Sequence, residues 1–240
     1  MSSSQHASGL VRRFGRTEIV YHWAQAVPYL FLVGTGSALL AHHFRPLGPE
    51  AREALRLAHL VTAALQVALP LLVALAGDTR ALLANAREAW VWRRDDFVWL
   101  WRMHLKPLFP ATELPPVGKF NAGQKVNFML VMVAIPTFAA SGLVMWLVPG
   151  ALLPWYVHLA TFAVSMPMLA VHLFMATLNP STRHAMRAMV VGTVSREWAA
   201  HHHGAWLASV QDEPVRRDER VAPDEARVGA APTTFHPGGA

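Results

Sequence analysis

Four stretches of the chain, residues 20–41, 57–77, 126–148 and 151–178, contain no Asp, Glu, Lys or Arg. Crossing a hydrocarbon core of about 30 Å takes ~20 helical residues, so each stretch is long enough to span a bilayer. One such run fits a buried core helix, but four exceed what a soluble chain of 240 residues can hide. The pattern predicts an all-α integral membrane protein, a bundle of four transmembrane helices over about 18–42, 55–77, 125–148 and 152–178. Between the second and third spans, residues 81–108 mix Trp90, Trp92, Trp99 and Trp101 with Arg93, Arg94, Arg102 and Lys106. That composition suits amphipathic helices lying at headgroup depth, and equally a docking face for a partner subunit. Pro107, Pro110, Pro115 and Pro116 then break the helix before the third span. Another amphipathic helix is predicted over 183–201. Residues 1–17 read as a polar N-terminal segment, 18–207 as the transmembrane domain, and 208–240 as a disordered tail rich in charge, Pro, Gly and Ala. The spans share no common motif, so no internal repeat is expected.

Apolar residues make up 53% of the chain and charged ones 15%, below the roughly one quarter usual in soluble domains. With no cysteine, this chain cannot supply disulfides, iron–sulfur ligands, c-type haem attachment, thiolate zinc sites or a cysteine nucleophile. The first 18 residues are polar and the run after them is longer than a signal-peptide core, so no cleavable leader is expected. The formal net charge is +6, and its placement decides what it means. Of the 21 Lys and Arg, 18 lie in the N-terminal segment, the second-to-third connection and the C-terminal segment. These segments share one side of a four-span protein. Excess Lys and Arg mark the cytoplasmic side, which predicts a multi-pass protein of a bacterial inner membrane with both termini in the cytoplasm. The basic residues form no stripe with interleaved aromatics outside these loops, so no nucleic-acid partner is expected.

Thirteen histidines remain to be explained. His6 and His236 lie in polar ends, His42 and His43 at an outer helix end, and His104 and His184 on cytoplasmic segments. The run His201, His202 and His203 reads most simply as a solvated face. His22, His59, His158 and His172 lie within or at the edges of the spans, with no carboxylate there to pair with. Ionisable groups at that depth are costly and usually functional. Each alone is equally compatible with a histidine hydrogen-bonded to a neighbouring helix, but together they fall at matched depths. The topology puts His22 and His172 near the inner face, and His59 and His158 near the outer face. His158 and His172 are 14 residues apart, ~21 Å along a helix axis at 1.5 Å per residue, and within about 40° of the same helix face. Two imidazole pairs, one per leaflet, suit two low-spin b-type haems, each with a neutral nitrogen donor on either side of the iron. Gly34, Gly36, Ala139, Ala140 and Gly142 would let a flat macrocycle approach a helix, and would serve plain helix packing as well. Zinc fits less well, because two separated pairs do not make a tetrahedral site.

Five further features carry a resemblance. They are Tyr-His-Trp at 21–23, Lys-Phe-Asn-Ala-Gly-Gln-Lys at 119–125, Ser-Gly-Leu-Val-Met-Trp at 141–146, the His158–His172 spacing, and Gly-Thr-Val-Ser-Arg-Glu-Trp-Ala at 192–199. Over roughly residues 12–207 the chain resembles the cytochrome b (gamma) subunit of membrane-bound formate dehydrogenases. That subunit belongs to a four-helix, di-haem cytochrome b group shared with respiratory hydrogenases. The resemblance implies an inner haem iron on His22 and His172, an outer one on His59 and His158, and a quinone site at Asn121, Gly123 and Gln124 beside the inner haem. Asn121 also reads as a simple helix N-cap, and the two roles are compatible. The chain departs from the family in its tail after Gln211, in the triple histidine, and at Phe120, where a tyrosine is expected.

The implied role is a membrane anchor and electron conduit of a respiratory chain. Electrons would come from a periplasmic iron–sulfur subunit and a molybdenum or tungsten catalytic subunit, pass two haem b groups, and reach menaquinone or ubiquinone, with protons taken from the cytoplasm. Membrane lipid and a higher oligomer of the complex are further expected partners. No catalytic acid, base or nucleophile is evident in this chain. One alternative keeps the haems and changes the partner, to a hydrogenase or a quinol-oxidising reductase. Another is a haem-free transporter or assembly factor with proton-relay histidines, which would call for acidic partners inside the spans.

Overall fold

The computed structural model describes residues 9–42 and 44–211. Helices α1 (Arg16–Ala41) and α2 (Pro49–Ala76) form a first hairpin. Helices α3 (Thr79–Trp90) and α4 (Arg94–Leu105) occupy the connection. Helix α5 (Ala122–Leu147) and helix α6 (Leu152–Leu173), which continues into a π-helical turn Phe174–Leu178, form a second hairpin. The four charge-free stretches are therefore the cores of four helices long and apolar enough to cross a membrane, and the protein is a multi-pass helical bundle. Local chemistry sets the ends. Glu18 returns its carboxylate to the Gly15 amide at the start of α1, Pro49 opens α2 behind Gly48, and Asp78 accepts from Ala81 N at the start of α3. Each satisfies, or makes unnecessary, a donor that a first helical turn would leave open.

The bundle is inverted relative to a soluble protein. Large apolar side chains such as Phe31, Leu72, Val133 and Val164 point outward and are exposed. The buried residues of the spans are small or polar: Thr35, Gln66, Ala134, Ser141 and Ser165, with Pro28 and Pro70. Gln66 Nε2 donates to Gln25 Oε1 and ties α2 to α1 at mid-span. Pro28, Pro70, Pro136 and Pro167 place one proline inside each span, a feature tolerated in membrane helices because neighbours satisfy the freed carbonyl. Close backbone packing lies within each hairpin, and no comparably close approach joins one hairpin to the other. The hairpins meet through side chains.

At one end of the bundle the chain builds a small cap. Strand β1 (Leu10–Arg12) pairs antiparallel with β2 (Thr193–Ser195), Val11 opposite Val194. Phe14, Ala188, Val194, Ala199, Trp206 and Leu207 form a cluster beneath it. The single amphipathic helix expected over 183–201 is thus not what forms. The segment is a 3-10 turn (Arg183–Arg187), α7 (Ala188–Val191), β2 and α8 (Arg196–His202). Gly192 is the reason: it sits at φ 82°, and its carbonyl accepts from both Arg13 N and Phe14 N. A final helix, α9 (Gly204–Gln211), carries the chain four residues into the predicted tail, because Trp206 and Leu207 belong to the cap core. The rest of the tail, where disorder is expected, lies outside the described residues.

A Cβ at position 192 would stand 2.5 Å from the Phe14 carbonyl oxygen, whereas one at Gly34 meets nothing within 4 Å. Gly192→Ala should therefore cost the cap the ~1–2 kcal/mol of a left-handed non-glycine residue plus the clash. Limited proteolysis near residue 10 should speed up and thermal unfolding in detergent should come earlier, with Gly204→Ala, where a Cβ also meets nothing within 4 Å, as the silent control.

Candidate functional site

The four span histidines form two facing pairs, matched as their depths predict. His22 on α1 faces His172 on α6 with ring centroids 6.4 Å apart. His59 on α2 faces His158 on α6 at 6.3 Å. An imidazole nitrogen ligates a first-row metal at about 2 Å, and its ring centroid lies roughly 1.1 Å behind, so two rings that would share one metal ion between them have centroids up to about 6.3 Å apart. Both pairs fit that requirement. The His59–His158 pair is also held from behind. Thr35 Oγ1 lies 2.8 Å from His59 Nδ1 and Ser141 Oγ lies 2.9 Å from His158 Nδ1. Gly36 and Gly142 stand against the same two rings, where a Cβ would lie 3.3 Å and 3.5 Å from Cε1. Phe138 stacks edge-on against His158 at 5.0 Å. Of the five small residues singled out in the sequence, only these two glycines back a histidine. Gly34 has open space beside it, and Ala139 and Ala140 are exposed.

Asn121, Gly123 and Gln124 form the first turn of α5, and the N-cap expected of Asn121 is present. Asn121 Oδ1 accepts from Gln124 N, and Gln124 Oε1 accepts from Asn121 N, both at 2.9 Å. This capping box consumes both side-chain carbonyls and leaves both amide NH2 groups free of hydrogen bonds among the described residues. They are the donors a quinone carbonyl needs. Trp99 of α4 covers Gly123, with ring carbons 3.7 Å from where a Cβ would lie. The next residue, Lys125, is buried and donates to Asp96 Oδ2 at 2.8 Å and Val91 O at 2.9 Å. That buried ion pair fixes α4 over the turn. Lys119 donates to Glu18 Oε1 at 3.1 Å and to Asn85 Oδ1 at 2.6 Å, linking the turn to α1 and α3. Neither network was foreseen, because both join residues 29 to 101 positions apart.

The sequence profile of the prokaryotic cytochrome b561 family matches residues 13–192, three quarters of the chain and all four spans. The chain belongs to the prokaryotic cytochrome b561 family. Among curated proteins it is similar to the cytochrome b556(Fdn) subunit of the nitrate-inducible formate dehydrogenase of Escherichia coli (strain K12). The two are 25% identical over 131 residues, 49% of this chain and 58% of that protein. The cytochrome b556(fdo) subunit of the same organism is 26% identical over 134 residues, 52% and 61% of the two chains. The formate dehydrogenase cytochrome b556 subunit of Haemophilus influenzae (strain ATCC 51907 / DSM 11121 / KW20 / Rd) is 29% identical over 97 residues, 37% and 40%. The matched region is thus under two thirds of each relative's length. The resemblance drawn from the motifs holds, and membership of a cytochrome b family carries haem b binding and electron transfer. The haem-free transporter or assembly factor is thereby set aside.

In this cytochrome the cap clamps the candidate quinone turn. Arg13 Nη2 donates to Lys119 O at 2.7 Å, with its guanidinium over the rings of Phe14, Trp198 and Trp206. Burial lowers Arg13 to about 10, so it stays charged at neutral pH. His203 Nδ1 donates to Gly118 O at 2.8 Å, and Trp206 N donates to Val117 O. The triple histidine is therefore not wholly a solvated face: His203 is 2% exposed, because its ring fills the space between Arg13, Trp198 and the 117–119 segment. Burial, with the Arg13 charge beside it, pushes the His203 imidazole down to about 3.

The folded imidazole stays neutral while the unfolded one takes a proton near 6.5, so the fold loses stability as pH falls from about 6.5 towards 3. The slope is up to ~1.4 kcal/mol per pH unit. Thermal unfolding followed at pH 7 and pH 5 should show this loss in the wild type and a smaller loss in His203→Gln; parallel profiles would contradict it.

Proposed function

We propose that the chain is a di-haem cytochrome b subunit that carries electrons from a periplasmic-side dehydrogenase, of the formate dehydrogenase type, to the membrane quinone pool. The observation that carries this reading is the pair of facing imidazole sets at 6.4 Å and 6.3 Å. They are spaced 14 residues apart on α6, ~21 Å along its axis. His22 and His172 would hold the inner haem iron, and His59 and His158 the outer one. When bound, the two haems supply a one-electron relay between the leaflets. The protein's own share is ligation, spacing and exclusion of water.

At the inner end, Asn121 and Gln124 offer their NH2 groups to a quinone carbonyl, and Gly123 keeps the turn open beneath Trp99. The quinone is menaquinone or ubiquinone, and protons enter from the side on which Lys119, Glu18 and Asn85 meet. That side is read as cytoplasmic. It collects the N-terminal segment, the α3–α4 connection and the C-terminal segment, which together hold 18 of the 21 Lys and Arg. On this reading the chain is a bacterial inner-membrane protein with both termini inside. It leaves the outer histidine pair facing a partner that carries iron–sulfur centres and a molybdenum or tungsten catalytic subunit. The formate assignment follows the relatives, which are cytochrome b556 subunits of formate dehydrogenases.

The test is the reoxidation of dithionite-reduced, purified protein by a menaquinone analogue, followed in the haem α band. Asn121→Ala and Gln124→Ala should each slow it tenfold or more, the loss of about one well-placed hydrogen bond to a reacting carbonyl, with haem content unchanged. Wild-type rates in both variants would remove the quinone site from this turn.

A further inference from the structure

The two histidine pairs are not equivalent, and the difference lies behind the rings. Thr35 and Ser141 are buried hydroxyls in the last two turns of α1 and α5, 7% and 6% exposed. Each immediately precedes the glycine that faces the same imidazole. Thr35 Oγ1 contacts Phe31 O at 3.0 Å and Leu32 O at 3.3 Å as well as His59 Nδ1 at 2.8 Å. Ser141 Oγ contacts Thr137 O at 2.6 Å and Phe138 O at 3.3 Å as well as His158 Nδ1 at 2.9 Å. A hydroxyl has one hydrogen, and a carbonyl can only accept. With the hydrogen directed along the helix to the carbonyl four residues back, the hydroxyl oxygen faces the ring as an acceptor. Nδ1 then carries the proton, and Nε2 presents its lone pair to the opposite ring. His22 and His172 make no side-chain hydrogen bond among the described residues.

We propose that Thr35 and Ser141 are positioning residues that lock the outer imidazoles in the Nδ1–H tautomer and lower the reduction potential of the outer iron relative to the inner one. The inference rests on the di-haem reading. An acceptor on Nδ1–H makes the imidazole a stronger donor at Nε2, and a stronger donor favours the ferric state. Two such acceptors act on the outer site and, among the described residues, none on the inner. The outer site is then the weaker electron acceptor, and electrons run downhill from the outer pair to the inner. Thr-Gly at 35–36 and Ser-Gly at 141–142 supply the same pair of functions from the two hairpins: a hydroxyl to orient the ring, and a missing Cβ to let it lie close.

The test is potentiometric titration of the haem α band in the purified, haem-loaded protein. Wild type, Thr35→Val, Ser141→Ala, the double variant and the conservative pair Thr35→Ser and Ser141→Thr are compared. His59→Ala identifies which midpoint belongs to the outer haem. The outer midpoint should rise in each single variant and further in the double, with a shifted low-spin EPR signal for that haem. The inner midpoint should stay fixed, and the conservative variants should return the outer midpoint towards wild type. Unchanged outer midpoints in single variants that keep their haem would overturn the proposal, as would an equal shift of both haems. If His59→Ala removes no haem, it is the di-haem reading that fails.

Discussion

Two imidazoles from different hairpins with ring centroids 6.3–6.4 Å apart is a demanding arrangement, and the bundle makes it twice. Each hairpin is closely packed within itself, and the hairpins face one another mainly through these rings and the aromatic contacts around them. Lipid gives no hydrophobic push between helices, since tails are as apolar as leucine. What defines the spacing between hairpins is therefore side-chain geometry: histidine on α1 and α2, histidine on α6, and glycine or a hydroxyl where a ring needs support. The inverted polarity of the bundle follows. Among its buried residues, Thr35 and Ser141 orient rings and Gln66 ties two helices together where no water is present.

The second constraint acts at the charged end. Helices in a membrane can slide and tilt, and a ring pair tolerates little of either. The cap counters this by joining the chain's N-terminal strand to its C-terminal segment and closing both on the 117–125 stretch through Arg13, His203 and Trp206. Beside it, the buried Lys125–Asp96 pair fastens α4. Breaking such a pair leaves an uncompensated buried charge, a cost of about 3–5 kcal/mol, so the ion pair defines position more than it adds stability. The candidate quinone turn thereby becomes a rigid piece at the end of a bundle whose outer surface is soft.

Much of this was legible in the sequence because it depends on counting. Charge-free runs mark the spans, Lys and Arg asymmetry marks the sides, and alternation of span direction pairs His22 with His172 and His59 with His158. What was not legible depends on contacts between distant segments. The strands at residues 10–12 and 193–195 are three residues each, too short for an alternation to stand out, and Gly192 gave no sign that it ends a helix until Phe14 is placed against it. His203 looked like its neighbours His201 and His202, and only the fold buries it. The hydroxyls of Thr35 and Ser141 are common residues in membrane helices. They gain meaning only from the ring each touches, although the repeated hydroxyl–glycine dipeptide was a signal available beforehand.

The central claim is that each facing pair holds one iron, and the most direct measurement is a pyridine haemochrome count on the purified, membrane-extracted protein with single histidine replacements. Two haem b per chain are expected in the wild type, one in His22→Ala, retaining the outer-site spectrum, and one in His59→Ala, retaining the inner. A wild-type count of one, or a full count surviving in both variants, would contradict it.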